Sequence, residues 1–68
     1  MSVSEYQIKQ EGKYEYLVGE GGRYWFKNRE YVYSEDGKDK IGYAVAIHDS
    51  KYQYELKDNK GHRIGFVR

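Results

Sequence analysis

Alternation of apolar and polar residues with a period of two recurs along almost the whole chain, and no segment shows a helical period. Residues 14–18, 31–33 and 52–56 alternate in this way, and the longest run covers residues 41–47. Period two is typical of half-buried strands, because successive side chains of a strand point to opposite faces of the sheet. The sequence therefore predicts an all-β protein.

Turn signals separate these runs. They are Gly12, the glycine cluster at residues 19–22, Asp36 with Gly37, and residues 58–61, and glycine readily adopts the positive φ that tight hairpin turns require. We expect strands at about residues 4–10, 13–18, 23–28, 30–34, 41–48, 51–57 and 62–67. This spacing predicts an antiparallel β-meander of five to seven strands, closed into a small SH3-like barrel or packed as a compact two-layer sandwich.

The run at residues 41–47 has two unequal faces. Large side chains at 41, 43, 45 and 47 form one face, while the other carries only Gly42, Ala44 and Ala46. Small residues allow another backbone to approach closely. We therefore expect a central strand that is crossed closely on its small-residue face.

The chain is short and has an unusual composition. Its 68 residues form one domain, 1–68, and with no cysteine it can hold neither a disulfide nor a cysteine-ligated zinc ion. It has nine tyrosines but only eleven Val, Ile and Leu residues. Because these aliphatic residues are too few to fill a core, several tyrosines must be partly buried, with their hydroxyl groups wet or hydrogen-bonded.

Charge and hydropathy restrict the classes of partner and the cellular location that the sequence predicts. Twelve Lys and Arg balance eleven Asp and Glu, whereas a protein that coats duplex DNA needs a large basic excess. The N-terminus lacks the basic start and apolar run of a signal peptide, and no stretch reaches the roughly 18 apolar residues that cross a bilayer. We expect a cytoplasmic protein without a membrane partner.

The sharpest local signal is the segment 23–29, in which three adjacent aromatic residues are bracketed by Arg23, Lys27 and Arg29. In a strand, Trp25 and Lys27 share one face, where Trp25 could stack a nucleobase or anchor a protein interface. The simpler interpretation is that Trp25 is a large core residue between solvated charges. The shortage of aliphatic residues favours this simpler interpretation.

A second basic stretch runs from Lys57 to Arg68 and also contains Lys60 and Arg63. It could combine with the segment 23–29 into one basic face. An ordinary solvated hairpin is the simpler interpretation, since short charge clusters usually serve solvation.

The sequence contains no motif that indicates catalysis or metal binding. His48 and His62 are the only histidines and lack the spacing of metal ligands. The glycine cluster runs into a strand, whereas a phosphate-binding loop leads into a helix. We predict a protein that is not an enzyme, with no catalytic residues, no metal site and no cofactor.

One short stretch resembles a known family. Residues 33–38 followed by residues 42–45 resemble the hairpin of the small archaeal chromatin proteins, which are SH3-like barrels that bind the DNA minor groove. The resemblance covers about a dozen residues, and the chain lacks that family's lysine excess and C-terminal helix. We do not assign the chain to that family, but the resemblance favours an SH3-like barrel and retains nucleic acid as an alternative ligand.

Our leading hypothesis is a non-enzymatic binding module that docks a Tyr/Trp-rich, partly basic surface onto another protein. By analogy of size and composition, the hypothesis includes a stand-alone inhibitor of a host protein, of the type that phages or viruses encode. The alternatives are a nucleic-acid binder that prefers single strands, and a self-associating subunit that dimerises through a free sheet edge. The residues predicted to carry binding are Trp25, Tyr24, Tyr31, Tyr33, Arg23, Lys27, Arg29, Tyr52 and Arg63.

Overall fold

The protein folds as seven β-strands, in a computed structural model that describes residues 4–68. The strands are β1 (Ser4–Glu11), β2 (Tyr14–Gly19), β3 (Gly22–Lys27), β4 (Tyr31–Ser34), β5 (Lys40–Ala46), β6 (Tyr54–Asp58) and β7 (Arg63–Val67). Within residues 4–68 no helix has the length and apolar character needed to span a bilayer. The all-β prediction is confirmed, while residues 1–3 of the N-terminus discussed above lie outside the described residues.

The strands form a closed barrel, in which each strand pairs antiparallel with the next along the chain. The barrel closes where Ser4–Tyr6 of β1 pair in parallel with Gly65–Val67 of β7. In a meander with an odd number of strands the first and last strands run in the same direction, so the closing pair has to be parallel. The structure confirms the meander and the barrel, and the parallel seam is the one departure from the predicted antiparallel order.

The strand limits agree with the prediction except between β5 and β6. There β5 ends at Ala46 and β6 begins at Tyr54, so both strands are shorter than expected. The connection is still ordered by hydrogen bonds: the Ile47 amide donates to the Gln53 carbonyl at 3.1 Å, and the Lys51 amide donates to Asp49 Oδ1 at 2.8 Å. A hydrogen bond from a backbone amide to a nearby Asp side chain replaces the bond that the amide would make in a sheet, so the strands end on either side of this connection.

The turn between β3 and β4 has an uncommon backbone. Asn28 and Arg29 both have positive φ, at 55° and 53°, and the Glu30 amide donates to the Lys27 carbonyl at 3.0 Å. Positive φ at both central residues is the feature of a type I′ hairpin turn, which suits the twist of the flanking strands. The left-handed conformation is unfavourable for Arg29, but its side chain is held by Glu15.

The barrel interior is small and partly aromatic. Its buried hydrophobic residues are Tyr6, Leu17, Phe26, Val32, Leu56 and Val67. Tyr24 and Tyr54 also pack against this core from the inner face, which confirms that tyrosines supplement the aliphatic residues. Two β-bulges contribute as well: the register skips Ile41 in β5 and Ile64 in β7, and both side chains pack against the core.

Candidate binding surface

The outer surface of β2, β3 and β4 carries large aromatic side chains. Leu17, Phe26 and Val32 are buried in the barrel, so their chain neighbours on these strands point outward. In register across the sheet, Trp25 pairs with Tyr16 on one side and with Tyr33 on the other. Trp25 is thus a half-buried residue of the outer face, and the simpler interpretation that it belongs to the core is wrong.

The outward aromatic residues form one continuous surface from β2 to β5. Next to the row formed by Tyr16, Trp25 and Tyr33, a second row of paired residues crosses the same strands: Tyr31 pairs with Lys27 of β3 and with Tyr43 of β5. We call this surface the aromatic face; its aromatic residues are Tyr14, Tyr16, Trp25, Tyr31, Tyr33 and Tyr43. Among the large hydrophobic residues between 4 and 68, Tyr14 is the most exposed, with 46% of its surface accessible.

Trp25 lies at the centre of contacts that fix its ring. The Tyr14 ring meets it edge-on with centroids 5.9 Å apart, and the Tyr33 ring lies at 5.4 Å and a 45° tilt. The β4–β5 connection covers another part of the ring, because a Cβ atom added at Gly37 would lie only 3.2 Å from Trp25 Cε3. A ring held on several sides loses little side-chain entropy on binding a partner.

Lysines supply the cations of the aromatic face. Lys27 Nζ lies 5.9 Å from the Trp25 ring and 5.7 Å from the Tyr33 ring, Lys40 Nζ lies 4.7 Å from the Tyr31 ring, and Lys13 Nζ lies 5.8 Å from the Tyr14 ring. Within residues 4–68 these lysines form no ion pair. Their charges are therefore available to a partner.

The arginines, in contrast, are all neutralised by carboxylates. Arg23 pairs with Glu11 and, at 2.9 Å, with Glu35, and its guanidinium lies 4.5 Å from the Tyr16 ring. Arg29 pairs with Glu15 at 2.8 Å. The other two arginines also have partners: Arg63 pairs with Glu55, and Arg68 pairs with Glu5 at 3.6 Å.

The predicted site residues separate into three places. Trp25, Tyr31, Tyr33 and Lys27 belong to the aromatic face, and Arg23 borders it. Tyr24 instead lies on the inner face, where its ring meets Tyr6 edge-on at 5.8 Å. Being inward, Tyr24 cannot join an outer binding surface.

Tyr52, Arg63 and Arg29 lie elsewhere. The Tyr52 ring stacks on Phe66 at 4.7 Å, and Arg63 lies 5.2 Å from the Phe66 ring. Arg63 is on β7, three strands around the barrel from Lys27 on β3. Arg29 occupies the β3–β4 turn. The structure therefore does not unite Arg63 with the segment 23–29 in one basic face.

Sequence reasoning missed Tyr14, Tyr16 and Tyr43 as members of the aromatic face. The available signal was that Tyr14 and Tyr16 alternate with Leu17, which has to face the core in a chain so poor in aliphatic residues. Of the histidines, His62 has its Nδ1 3.5 Å from Asp58 Oδ2. Within residues 4–68 no three His, Cys, Asp or Glu side chains group around a metal position.

Two clefts flank the contact between Tyr14 and Trp25. We call the first the acidic cleft; it measures about 260 Å³ and is lined by Tyr14, Tyr16, Trp25, Glu35, Asp36 and Gly37. We call the second, also of about 260 Å³, the lysine cleft; it is lined by Lys13, Tyr14, Glu15, Trp25, Phe26, Lys27 and Asn28. The acidic cleft thus carries the carboxylates of Glu35 and Asp36, while the lysine cleft carries two lysines beside Glu15, whose charge is paired with Arg29.

Hydrogen bonds and ion pairs lower the pKa of several carboxyl groups. Arg23 lowers the pKa of Glu11 and Arg29 lowers that of Glu15, while the Tyr52 hydroxyl, with Lys51 and Arg68, lowers that of Glu5. The pKa of Asp36 falls because it accepts hydrogen bonds from the Ser34 hydroxyl and the Lys38 amide. In the folded protein each of these groups binds its proton less readily than in the unfolded chain.

We expect stability to fall in acid. Since these pKa values are lower in the folded state, their contribution is complete above the ordinary values of 4.5 for glutamate and 3.8 for aspartate, and it is lost as the pH falls through the folded values. Thermal unfolding followed by circular dichroism between pH 7 and pH 2 measures this loss. Glu11→Gln should flatten the acid limb, whereas Glu20→Gln, at a residue without an ion pair within residues 4–68, should not. Equal acid limbs in all three proteins would contradict the prediction.

The chain was also compared with known proteins. Protein-family models, curated proteins and solved structures all give no match to it.

Proposed function

We propose that this protein is a non-enzymatic binding module whose aromatic face docks onto another protein. The observation that carries the proposal is the position of Trp25, the only tryptophan, outside the core and between Tyr14 and Tyr33. Trp, Tyr and Arg are the residues that most often dominate the binding energy of protein interfaces. A core short of apolar residues would be better filled by this ring, so its outward position supports a role in recognition.

The charge distribution favours a protein over a polyanion as the partner. Carboxylates line the acidic cleft, and two free lysines line the lysine cleft beside Glu15, which is paired with Arg29. The two clefts lie on opposite sides of the same Tyr14–Trp25 contact. A protein surface can match such mixed charge with side chains of both signs. A nucleic-acid backbone presents phosphates only, and the Glu35 and Asp36 carboxylates would repel it.

Trp25→Ala is expected to weaken binding to a protein partner at least about 30-fold, because truncating a central hot-spot residue costs about 2 kcal/mol or more. Tyr33→Ala should weaken binding in the same direction, since it removes a neighbour of the ring. Partners are captured from lysate on the immobilised chain, purified, and measured by isothermal titration calorimetry against each variant. Circular dichroism checks that each variant is folded.

Tyr52→Ala is the matched control, because Tyr52 is an aromatic residue that stacks on Phe66 outside the aromatic face. A partner that binds wild type and Tyr52→Ala equally, but not Trp25→Ala, supports the proposal. A partner that is lost with Tyr52→Ala and retained by Trp25→Ala would place the interface elsewhere and overturn it.

Three narrower proposals accompany this function. The first is that the module is a stand-alone inhibitor of a host protein, which an activity assay of the purified partner tests. The second is that the barrel belongs to the SH3-like type, and the third is a cytoplasmic location. Small size, aromatic richness and missing catalytic motifs motivate the inhibitor. The short meander motivates the SH3-like barrel, and the absence of cysteine motivates the cytoplasmic location.

Single-stranded nucleic acid is the second candidate ligand, supported by the free lysines of the aromatic face. Lys27, Lys40 and Lys13 could contact phosphates while Trp25 stacks a base. Fluorescence of Trp25 is titrated with single-stranded and duplex oligonucleotides at low and physiological salt. Saturable quenching that weakens steeply with salt would favour this ligand over a protein, and no response at low salt would exclude it.

Self-association needs a surface other than the barrel seam. Ser4–Tyr6 already pair with β7, so this part of β1 offers no free edge to a second copy. The proposal that copies associate through another surface is tested by sedimentation equilibrium over a range of protein concentrations.

A further inference from the structure

The acidic cleft combines aromatic walls with carboxylates at its rim. The rings of Tyr14, Tyr16 and Trp25 line it together with Glu35 and Asp36. Aromatic faces attract cations through the negative charge of their π-systems, and recognition of ammonium groups in aromatic cages uses this attraction. Carboxylates near such rings add Coulomb attraction for the same ligand.

The carboxylates retain oxygen atoms for a ligand. Glu35 uses Oε2 to accept from Arg23, and Asp36 uses Oδ1 to accept from the Ser34 hydroxyl at 2.6 Å and the Lys38 amide at 3.0 Å. Among residues 4–68 nothing donates a hydrogen bond to Glu35 Oε1 or Asp36 Oδ2. Arg23 pairs with Glu11 and Glu35, and Lys9 pairs with Glu11 at 3.8 Å. The three carboxylates of Glu11, Glu35 and Asp36 still outnumber these two cations, so the cleft is negative.

The cleft is also preorganised. The Ser34 amide donates to the Asp39 carbonyl at 2.8 Å, the Asp39 amide donates to Ser34 Oγ at 3.1 Å, and the Gly37 amide donates to the Ser34 carbonyl at 2.8 Å. These bonds hold the connection between β4 and β5 against the Trp25 ring. A rim that is ordered before binding spares the entropy of ordering it on binding.

We infer that the acidic cleft binds a cationic side chain, the ammonium of a lysine or the guanidinium of an arginine, presented by the protein partner. This inference rests on the proposed function and specifies the partner: it carries an exposed basic residue that inserts beside Trp25. The lysine cleft on the other side of the Tyr14–Trp25 contact then meets an acidic part of the same partner.

The test titrates the 68-residue chain with three acetylated, amidated tripeptides, Gly-Lys-Gly, Gly-Arg-Gly and Gly-acetyllysine-Gly, and follows the fluorescence of Trp25. A single inserted side chain should bind with a dissociation constant of about 1 mM or weaker. We expect a saturable response to at least one cationic peptide, and binding of the neutral acetyllysine peptide about tenfold weaker or absent. Equal responses to all three peptides would overturn the inference.

Variants locate the binding position. Glu35→Gln combined with Asp36→Asn should weaken the cationic peptide about tenfold, since two exposed ion pairs are removed. Glu35→Gln alone should also weaken binding of the cationic peptide. Because the Glu35 side chain is 62% exposed, this substitution should leave the fold intact, and a loss of binding then reports on the cleft. Glu20→Gln is the control for Glu35→Gln, because it also removes one negative charge but lies outside the cleft. It should leave peptide binding unchanged. Unchanged binding in the double variant would overturn the inference.

The two proposals can fail separately. If Trp25→Ala abolishes partner binding but no cationic peptide binds, the proposed function holds and this inference falls. If the cationic peptides bind through Glu35 and Asp36 but Trp25→Ala leaves partner binding intact, the cleft is a cation site and the proposed function falls.

Discussion

Gly42→Ala is expected to destabilise the barrel by about 3 kcal/mol or more, which is the upper end of the cost of overpacking a core. A Cβ atom at this position would lie 1.9 Å from the Lys57 carbonyl oxygen and 2.9 Å from Asp58 Cα. Both contacts are with backbone, so no side-chain rotation can relieve them. β5 and β6 would have to separate where Gly42 and Asp58 pair in the sheet.

The size of the chain makes this loss decisive. At about 0.05–0.15 kcal/mol per residue, the whole barrel is stable by only about 3–10 kcal/mol. Urea unfolding followed by circular dichroism should show Gly42→Ala largely unfolded at a concentration where wild type is folded.

Gly12→Ala separates the clash from the general effects of adding a methyl group. Gly12 has a φ of +63°, and a Cβ atom there would meet nothing within 4 Å. The substitution should therefore cost only about 1 kcal/mol, from the left-handed backbone. Stability of Gly42→Ala at or above that of Gly12→Ala would show that the close approach of β5 and β6 is not essential.

The small-residue face of β5 could be predicted from the sequence, and the structure agrees for Gly42 and Ala44, whereas Ala46 is exposed. Gly42 and Ala44 pair with residues of β4 and β6 and point into a narrow interior, while Tyr43 and Val45 point outward. What the alternation could not specify is the two β-bulges. A bulge moves a residue to the other face without any local signal, and Ile41 and Ile64 both reach the core in this way.

The faces of the tyrosines were harder to predict than the strands. Strand positions follow from period-two alternation and glycine turns, which are local. Tyrosine suits either face because its ring packs and its hydroxyl group is polar. Alternation therefore shows that Tyr14 and Tyr16 share a face, but only the burial of Leu17 decides that this face is the outer one.

The acidic cleft depends on contacts between residues distant in the chain. Gly37 reaches the Trp25 ring from the β4–β5 connection. Arg23 on β3 links Glu11, at the end of β1, to Glu35, which follows β4. No local pattern encodes such contacts, since they follow from the register of the barrel. The sequence indicated Trp25 as a binding residue, and the fold was needed to show which residues surround it.

Tyr6→Ala is expected to cost about 3–5 kcal/mol, the range for truncating a buried aromatic residue. Tyr6 is only 5% exposed and lies at the seam, where it pairs with Gly19 of β2 and Val67 of β7. Its ring occupies the space that side chains would take at two seam glycines: a Cβ atom would lie 2.8 Å from the ring at Gly19 and also at Gly65. The loss of this packed ring should appear as a lower midpoint in urea unfolding.

Tyr6→Phe is the control, because it keeps the ring and removes the hydroxyl group, at a cost of about 1 kcal/mol or less. Burial raises the pKa of the Tyr6 phenol above its ordinary value of 10.0. The folded state therefore favours the neutral phenol, and its contribution to stability is complete below pH 10 and is lost as the pH rises through the folded value. Tyr6→Phe should consequently lose less stability above pH 10 than wild type does.

The hydroxyl group also explains why the turn after β2 needs Gly21. A Cβ atom at Gly21 would lie 2.0 Å from the Tyr6 hydroxyl oxygen, and its other near neighbours, Tyr6 Cζ at 3.1 Å and Ser4 Oγ at 3.3 Å, are far less crowded. Gly21→Ala should therefore destabilise wild type more than it destabilises Tyr6→Phe, by about 1 kcal/mol or more in a double-mutant cycle. Additive effects of the two substitutions would mean that the seam adjusts to the methyl group, and that Tyr6 stabilises the barrel by filling volume alone.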